Sequence, residues 1–201
     1  MKMKRALILV DLQNDFVVPG ALPVPAGIEV VAFANAVMPN YQLVVATQDW
    51  HPADHLSFAS QHSELRVGQT FLLNGLPQIA WPDHCVQGSE GAKLIEGLAQ
   101  NGIQKIFQKG TDRELDSYSG FFDNGHQKET GMGVYLTEND VTDVDVMGLA
   151  TDYCVRYTTL DAIQLGFRTR VLLRGCRGVE LAAGDIDQAL AEMARAGVDI
   201  V

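Results

Sequence analysis

The stretch "VTDVDVMGLATDYCVRYTTLDAIQLG", residues 141–166, decides the fold. Its first ten residues form an apolar, β-branched run that reads as a buried strand. Residues 152–166 then carry helical periodicity and stop at Gly166, as helices commonly stop at glycine. Outward from this strand–turn–helix unit the same alternation recurs. Residues 5–11, 41–49, 103–110 and 167–175 read as further strands, and 26–38, 88–102 and 183–197 as helices. The tail "VDIV" supplies a sixth strand. This ordering predicts an α/β three-layer sandwich, with a central, mostly parallel six-stranded sheet flanked by helices.

At 201 residues, 47% of them hydrophobic, the chain suits one sizeable core, and residues 1–201 read as a single domain. A formal charge of -10 lacks the basic footprint that nucleic acid or an anionic membrane requires. A small molecule is the expected partner, and self-association into a homo-oligomer is left open. The apolar run before Asp11 is too short for a signal peptide, so a cytoplasmic protein is expected. Cys85, Cys154 and Cys176 form an odd set without a CxxC pair, which fits neither a disulfide framework nor a cysteine-rich zinc knuckle.

Two segments interrupt the alternation. Residues 50–87 hold four histidines, Trp81 and three prolines without a period, and a loop this long in a compact domain usually serves a function. Residues 110–131 are polar and glycine-rich, with Tyr118, Phe121 and Phe122 as material for a pocket wall.

Ligands of open parallel sheets bind beyond the carboxyl ends of the strands. On the predicted strands that rule selects Asp11, Asp49 and Lys109 at three strand ends, with Cys154 in the turn after the fourth. Cys154 alone reads equally well as a buried apolar side chain. Its place on the rim turns the reading to a nucleophile, with a pKa lowered by the helix dipole and a nearby lysine. Cys85 and Cys176 have no such setting and read as structural. Asp11 by itself suits a helix cap, but a thiol nucleophile needs a base, and that requirement tips Asp11 toward proton transfer.

Asp49 and His51 lie two apart and point the same way if the strand continues, which makes half of a metal site. His84, stiffened by Pro82, supplies a third ligand. One carboxylate and two imidazoles with open positions suit one divalent ion, zinc first, with manganese or iron also accommodated. His55 and Ser57 are candidates to complete the shell, directly or through water. His62 and His126 have no partner in sequence and read as surface residues.

Read together, "DLQNDF" (11–16), "DWHPADHLSF" (49–58), "WPDHC" (81–85), "QKGTD" (108–112), "YSGFFD" (118–123) and "GLATDYCV" (148–155) resemble the isochorismatase-like hydrolase superfamily, and within it the nicotinamidases. The resemblance spans most of the chain and departs at no catalytic or core metal position. It implies hydrolysis of nicotinamide, and of pyrazinamide, through a thioester on Cys154. Asp11, Lys109 and Cys154 would be catalytic, and Asp49, His51 and His84 would hold the ion. It also implies a cis peptide between Leu149 and Ala150, an oxyanion hole from the N–H groups of Ala150 and Cys154, and a ring pocket of Phe16, Trp81 and Tyr118. Three other readings compete. Superfamily amidases for other amides generally lack the metal string; isochorismatases proper need no cysteine; a non-catalytic binder would not need an intact rim.

Overall fold

Six strands pair in parallel throughout: β1 (Lys4–Val10), β2 (Leu43–Asp49), β5 (Lys105–Lys109), β6 (Val141–Leu149), β7 (Arg168–Arg177) and β8 (Asp199–Ile200). The computed structural model describes residues 4–201. Met1 to Met3, which begin the basic N-terminal segment, lie outside it. A separate antiparallel hairpin, β3 (Thr70–Leu73) with β4 (Leu76–Ile79), sits in the long aperiodic segment and was not expected from it.

The spatial order is β5-β2-β1-β6-β7-β8. The chain therefore builds outward from β1 in one direction and, after β5, returns to build from β6 in the other. The switch point lies between β1 and β6, where a doubly wound sheet opens its crevice. Ala6 to Val10 of β1 are wholly buried, as a strand covered on both faces requires.

Among the described residues four helices connect the strands: α1 (Glu29–Val37), α2 (Met132–Glu138), α3 (Arg156–Gln164) and α4 (Asp185–Arg195). Right-handed crossovers leading away from the switch point in opposite directions put α1 on one face and α3 and α4 on the other. Among the described residues no helix is long and apolar enough to cross a membrane. At the amino ends of the strands, buried Asp143 and Asp145 are balanced by Arg5, Arg168 and Arg170, an ionic network remote from the crevice.

One expected element is absent. Residues 88–102 are turns ending in a short 3-10 segment at Gln100–Gly102, not a helix. Gly88 and Gly97 take positive φ values of 77° and 90°, which break a right-handed helix. The carbonyls of this segment bond to the loop after β1 and to β2 instead. Asn14 and Asp15 donate backbone N–H groups to Lys93 and Gly91, and the Gln13 and Gln48 amides both donate to Ala92. Long-range partners override the local period.

Candidate active site

Strands β1, β2 and β5 each deliver one polar side chain at or just after the carboxyl end. Asp11 follows β1 in a left-handed conformation, φ 50°. Its N–H donates to Thr47 Oγ1 at 3.2 Å, and Thr47 in return donates to Asp11 Oδ1 at 2.6 Å. Asp49 ends β2 and Lys109 ends β5, paired side by side in the register.

Lys109 Nζ is the hub. It lies 2.5 Å from Asp49 Oδ1, 2.9 Å from Asp11 Oδ2, 2.9 Å from the Ser117 carbonyl and 3.5 Å from Cys154 Sγ. All of these side chains are buried. The contact to Asp11 is an ion pair at Oδ2, and Asp11 also acts on the Cys154 thiol.

The electrostatics follow from burial among unlike charges. Burial pushes the Asp11 carboxyl up to about 6, with Asp49 adding to the rise against the opposing pull of Lys109. Burial also works against the charge of Asp49, but Lys109 and His51 outweigh it and hold Asp49 well below the usual carboxylate range. Lys109 stays charged: two carboxylates more than offset its desolvation. For Cys154 the sequence-based expectation fails. Burial pushes the thiol well above its ordinary value, and Asp11 and Asp49 push the same way against Lys109. The resting group is a thiol, and a neighbouring base has to take its proton.

Cys154 sits in a wide π-helical turn, Thr151–Val155, that precedes α3. The turn closes by N–H donation from Tyr153 and Val155 to the Ala150 carbonyl at 3.1 and 3.0 Å. The Leu149–Ala150 peptide is cis, as the resemblance implies.

The three expected metal ligands meet. Asp49 Oδ2 lies 3.7 Å from His51 Nε2 and 3.8 Å from His84 Nε2, and their ligand atoms all fall within 4.8 Å of one another. His51 Nδ1 donates to the Gly110 carbonyl at 2.8 Å and His84 Nδ1 to the Pro82 carbonyl at 2.7 Å. Both bonds put the ring proton on Nδ1 and leave an Nε2 lone pair facing Asp49, so the residues fit a divalent cation. Glycine is required at 110: with φ 63°, its Cβ would stand 2.3 Å from the His51 ring.

His55 packs against His51 with ring centroids 4.5 Å apart, and His51, His55 and Asp116 form a second close group. The Ser57 N–H donates to His55 Nδ1 at 3.1 Å, with Ser57 Oγ 2.7 Å from the same atom. A neutral His55 therefore carries its proton on Nε2.

The cavity over Cys154 is lined by Phe16, Trp81 and Tyr118, and by Asp49, His51, His84 and Ala150. Trp81 Nε1 donates to the Tyr118 hydroxyl at 3.1 Å, which locks the two rings together. Leu22, Asp116, Tyr153 and Val179 also line it, and sequence reasoning missed them. Gln13 was missed too: its amide clamps the Asp49 backbone, donating to the carbonyl and accepting from the N–H, each at 2.8 Å. "DLQNDF" contains Gln13, but nothing local shows which strand it would grip. Of the histidines read as surface residues, His126 is exposed, whereas His62 is half-buried against the Leu56 carbonyl at 2.8 Å. Cys85 and Cys176 are buried, as expected.

Residues 5–201 match the isochorismatase domain model. A nicotinamidase of Escherichia coli is 50% identical over 202 residues, covering 98% of this chain and 93% of that protein. The solved structure of a nicotinamidase/pyrazinamidase of Acinetobacter baumanii is 37% identical, superposes with a TM-score of 0.96, and covers 100% and 97% of the two chains. A pyrazinamidase of Pyrococcus horikoshii, solved in complex with zinc, is 35% identical with a TM-score of 0.79 and 98% of both chains covered. Match, fold and crevice agree, and the chain belongs to the isochorismatase family.

Proposed function

We propose that the chain hydrolyses nicotinamide to nicotinate and ammonia in NAD salvage, and deamidates pyrazinamide as well. The observation that carries this reading is the contact of one ammonium, Lys109 Nζ, with Asp11, Asp49 and Cys154 beneath an aromatic-walled cavity. Full-length similarity to enzymes named for this activity supports the choice of substrate.

Asp11 takes the Cys154 proton on Oδ2 as sulfur attacks the carboxamide carbon. Negative charge moves from the carboxylate toward the oxyanion while Lys109 stays in reach of both ends. The N–H groups of Ala150 and Cys154 receive the oxyanion. Asp11 then returns the proton to the departing nitrogen, releasing ammonia and leaving a thioester. A water attacks that thioester as Asp11 accepts its proton; the C–S bond then breaks, Asp11 returns that proton to the sulfur, and the nicotinic acid released ionises to nicotinate. Phe16, Trp81 and Tyr118 hold the ring so that the reacting atoms sit at about 3 to 3.5 Å.

Asp49, His51 and His84 would hold one divalent ion, zinc first with manganese or iron also accommodated, with His55 and Ser57 as a hydrogen-bonded pair beside them. When bound, the ion supplies a Lewis-acid anchor for the pyridine nitrogen. Residues 1–201 act as one catalytic domain, and an uncombined thiol nucleophile suits the reducing cytoplasm.

The deciding experiment is ammonia release from nicotinamide before chelation, after it, and with zinc, manganese or iron restored. Release that chelation stops and one of these ions restores is the expected result. A protein that contains the metal and releases no ammonia overturns the reading.

A further inference from the structure

Asp152 lies two residues before the sulfur, yet both of its carboxylate oxygens face another part of the chain. Oδ1 accepts the Val179 N–H at 2.9 Å and Oδ2 accepts the Glu180 N–H at 2.7 Å. The side chain is buried, and these two bonds tie the π-helical turn to the loop between β7 and α4. Glu180 is held at φ 53°, a left-handed conformation that a non-glycine residue adopts only when its surroundings dictate it. Val179 is the residue of that loop that lines the catalytic cavity, together with Phe16 and Trp81. The loop has no strand or helix at this point to fix it. Beside local bonds from the Ala182 N–H to Asp185 and from the Gly184 N–H to Glu180, the Asp152 carboxylate ties this loop to the turn that carries Cys154.

Building on the nicotinamidase reading, we propose that Asp152 is a positioning residue that sets the Val179 wall and thereby selects the size of ring that enters. It exchanges no proton with substrate. A carboxylate can accept from both N–H groups at once, whereas an amide offers one oxygen and sets its own N–H₂ against the other donor.

The test compares nicotinamide with 5-methylnicotinamide in wild type, Asp152→Asn, Val179→Ala and the double variant. Each single variant is expected to reduce the preference for the smaller ring by about tenfold in kcat/KM, the scale of one methyl group in an apolar pocket. The change in selectivity should appear in KM more than in kcat, and the pH profile should keep its shape. The double variant should match the singles, since both act through one wall. Additive effects, or a fall in kcat with selectivity intact, overturn the proposal. Should D152N give no cooperative melt, Asp152→Glu keeps both oxygens and displaces the wall by one methylene; unaltered selectivity there overturns it equally. If wild type hydrolyses neither amide, the nicotinamidase reading fails on its own. Amide exchange then decides the positioning role: faster exchange at Val179 and Glu180 in D152N supports it, and unchanged exchange overturns it.

Discussion

Asp49 accepts the Lys109 ammonium on Oδ1 at 2.5 Å while Oδ2 faces the two imidazoles. A single carboxylate thus joins the Lys109, Asp11 and Cys154 group to the His51 and His84 imidazoles. Lys109→Met would leave Asp11 and Asp49 buried without their counter-charge. The expected outcome is a loss of about 3 to 5 kcal/mol in unfolding free energy, as for other broken buried pairs, together with loss of turnover. Urea unfolding and ammonia release measure the two effects.

Cys154 takes no part in the Asp49, His51 and His84 cluster. Cys154→Ala should lower kcat by about 10⁴-fold or more, the scale of removing a nucleophile, and still retain one ion per chain by elemental analysis. His84→Ala should lose the ion.

Asp11 must be ionised to act as a base, and its carboxyl is pushed up to about 6. The rate, as kcat/KM, should rise as pH increases through about 6 and flatten above it. Stability runs the other way. The folded pKa is raised above the unfolded one, so this group's contribution is fully present below about 3.9 and is lost as pH rises through about 6. Asp11→Asn should remove the stability slope along with the activity, read by thermal melts across that range.

Gln13 holds Asp49 by its backbone, and its side chain is completely buried. Gln13→Ala would strand a buried N–H and a buried carbonyl, and about 2 kcal/mol of stability should go with them. Because Asp49 would then be free to shift, zinc affinity should weaken as well, a change that competition with a chelator measures.

Much of the sheet was legible because its strands are short apolar runs, and burial on both faces leaves that mark on any parallel strand. Strand ends near Val10, Asp49, Lys109 and Leu149 can be read to within a residue or two, which places Asp11, Lys109 and Cys154 on one rim from sequence. Asp49, His51 and His84 could be picked as candidate ligands by donor chemistry, and the structure brings them together. Residues 88–102 were misread because their apolar spacing is helical, while the groups that capture their carbonyls, from Asn14, Asp15, Gln13 and Gln48, come from other strands and loops.

By itself, the sequence determined the alternation of strands and helices and the chemical identity of the acid, amine, thiol and imidazoles, because both are properties of local pattern and side-chain type. Only the tertiary structure decided the strand order that makes the crevice, the Gln13 and Asp152 clamps, the Val179 wall and the elevated pKa of Cys154. Each of these depends on distance and burial between residues far apart in the chain, and hydrogen bonding and desolvation act through space.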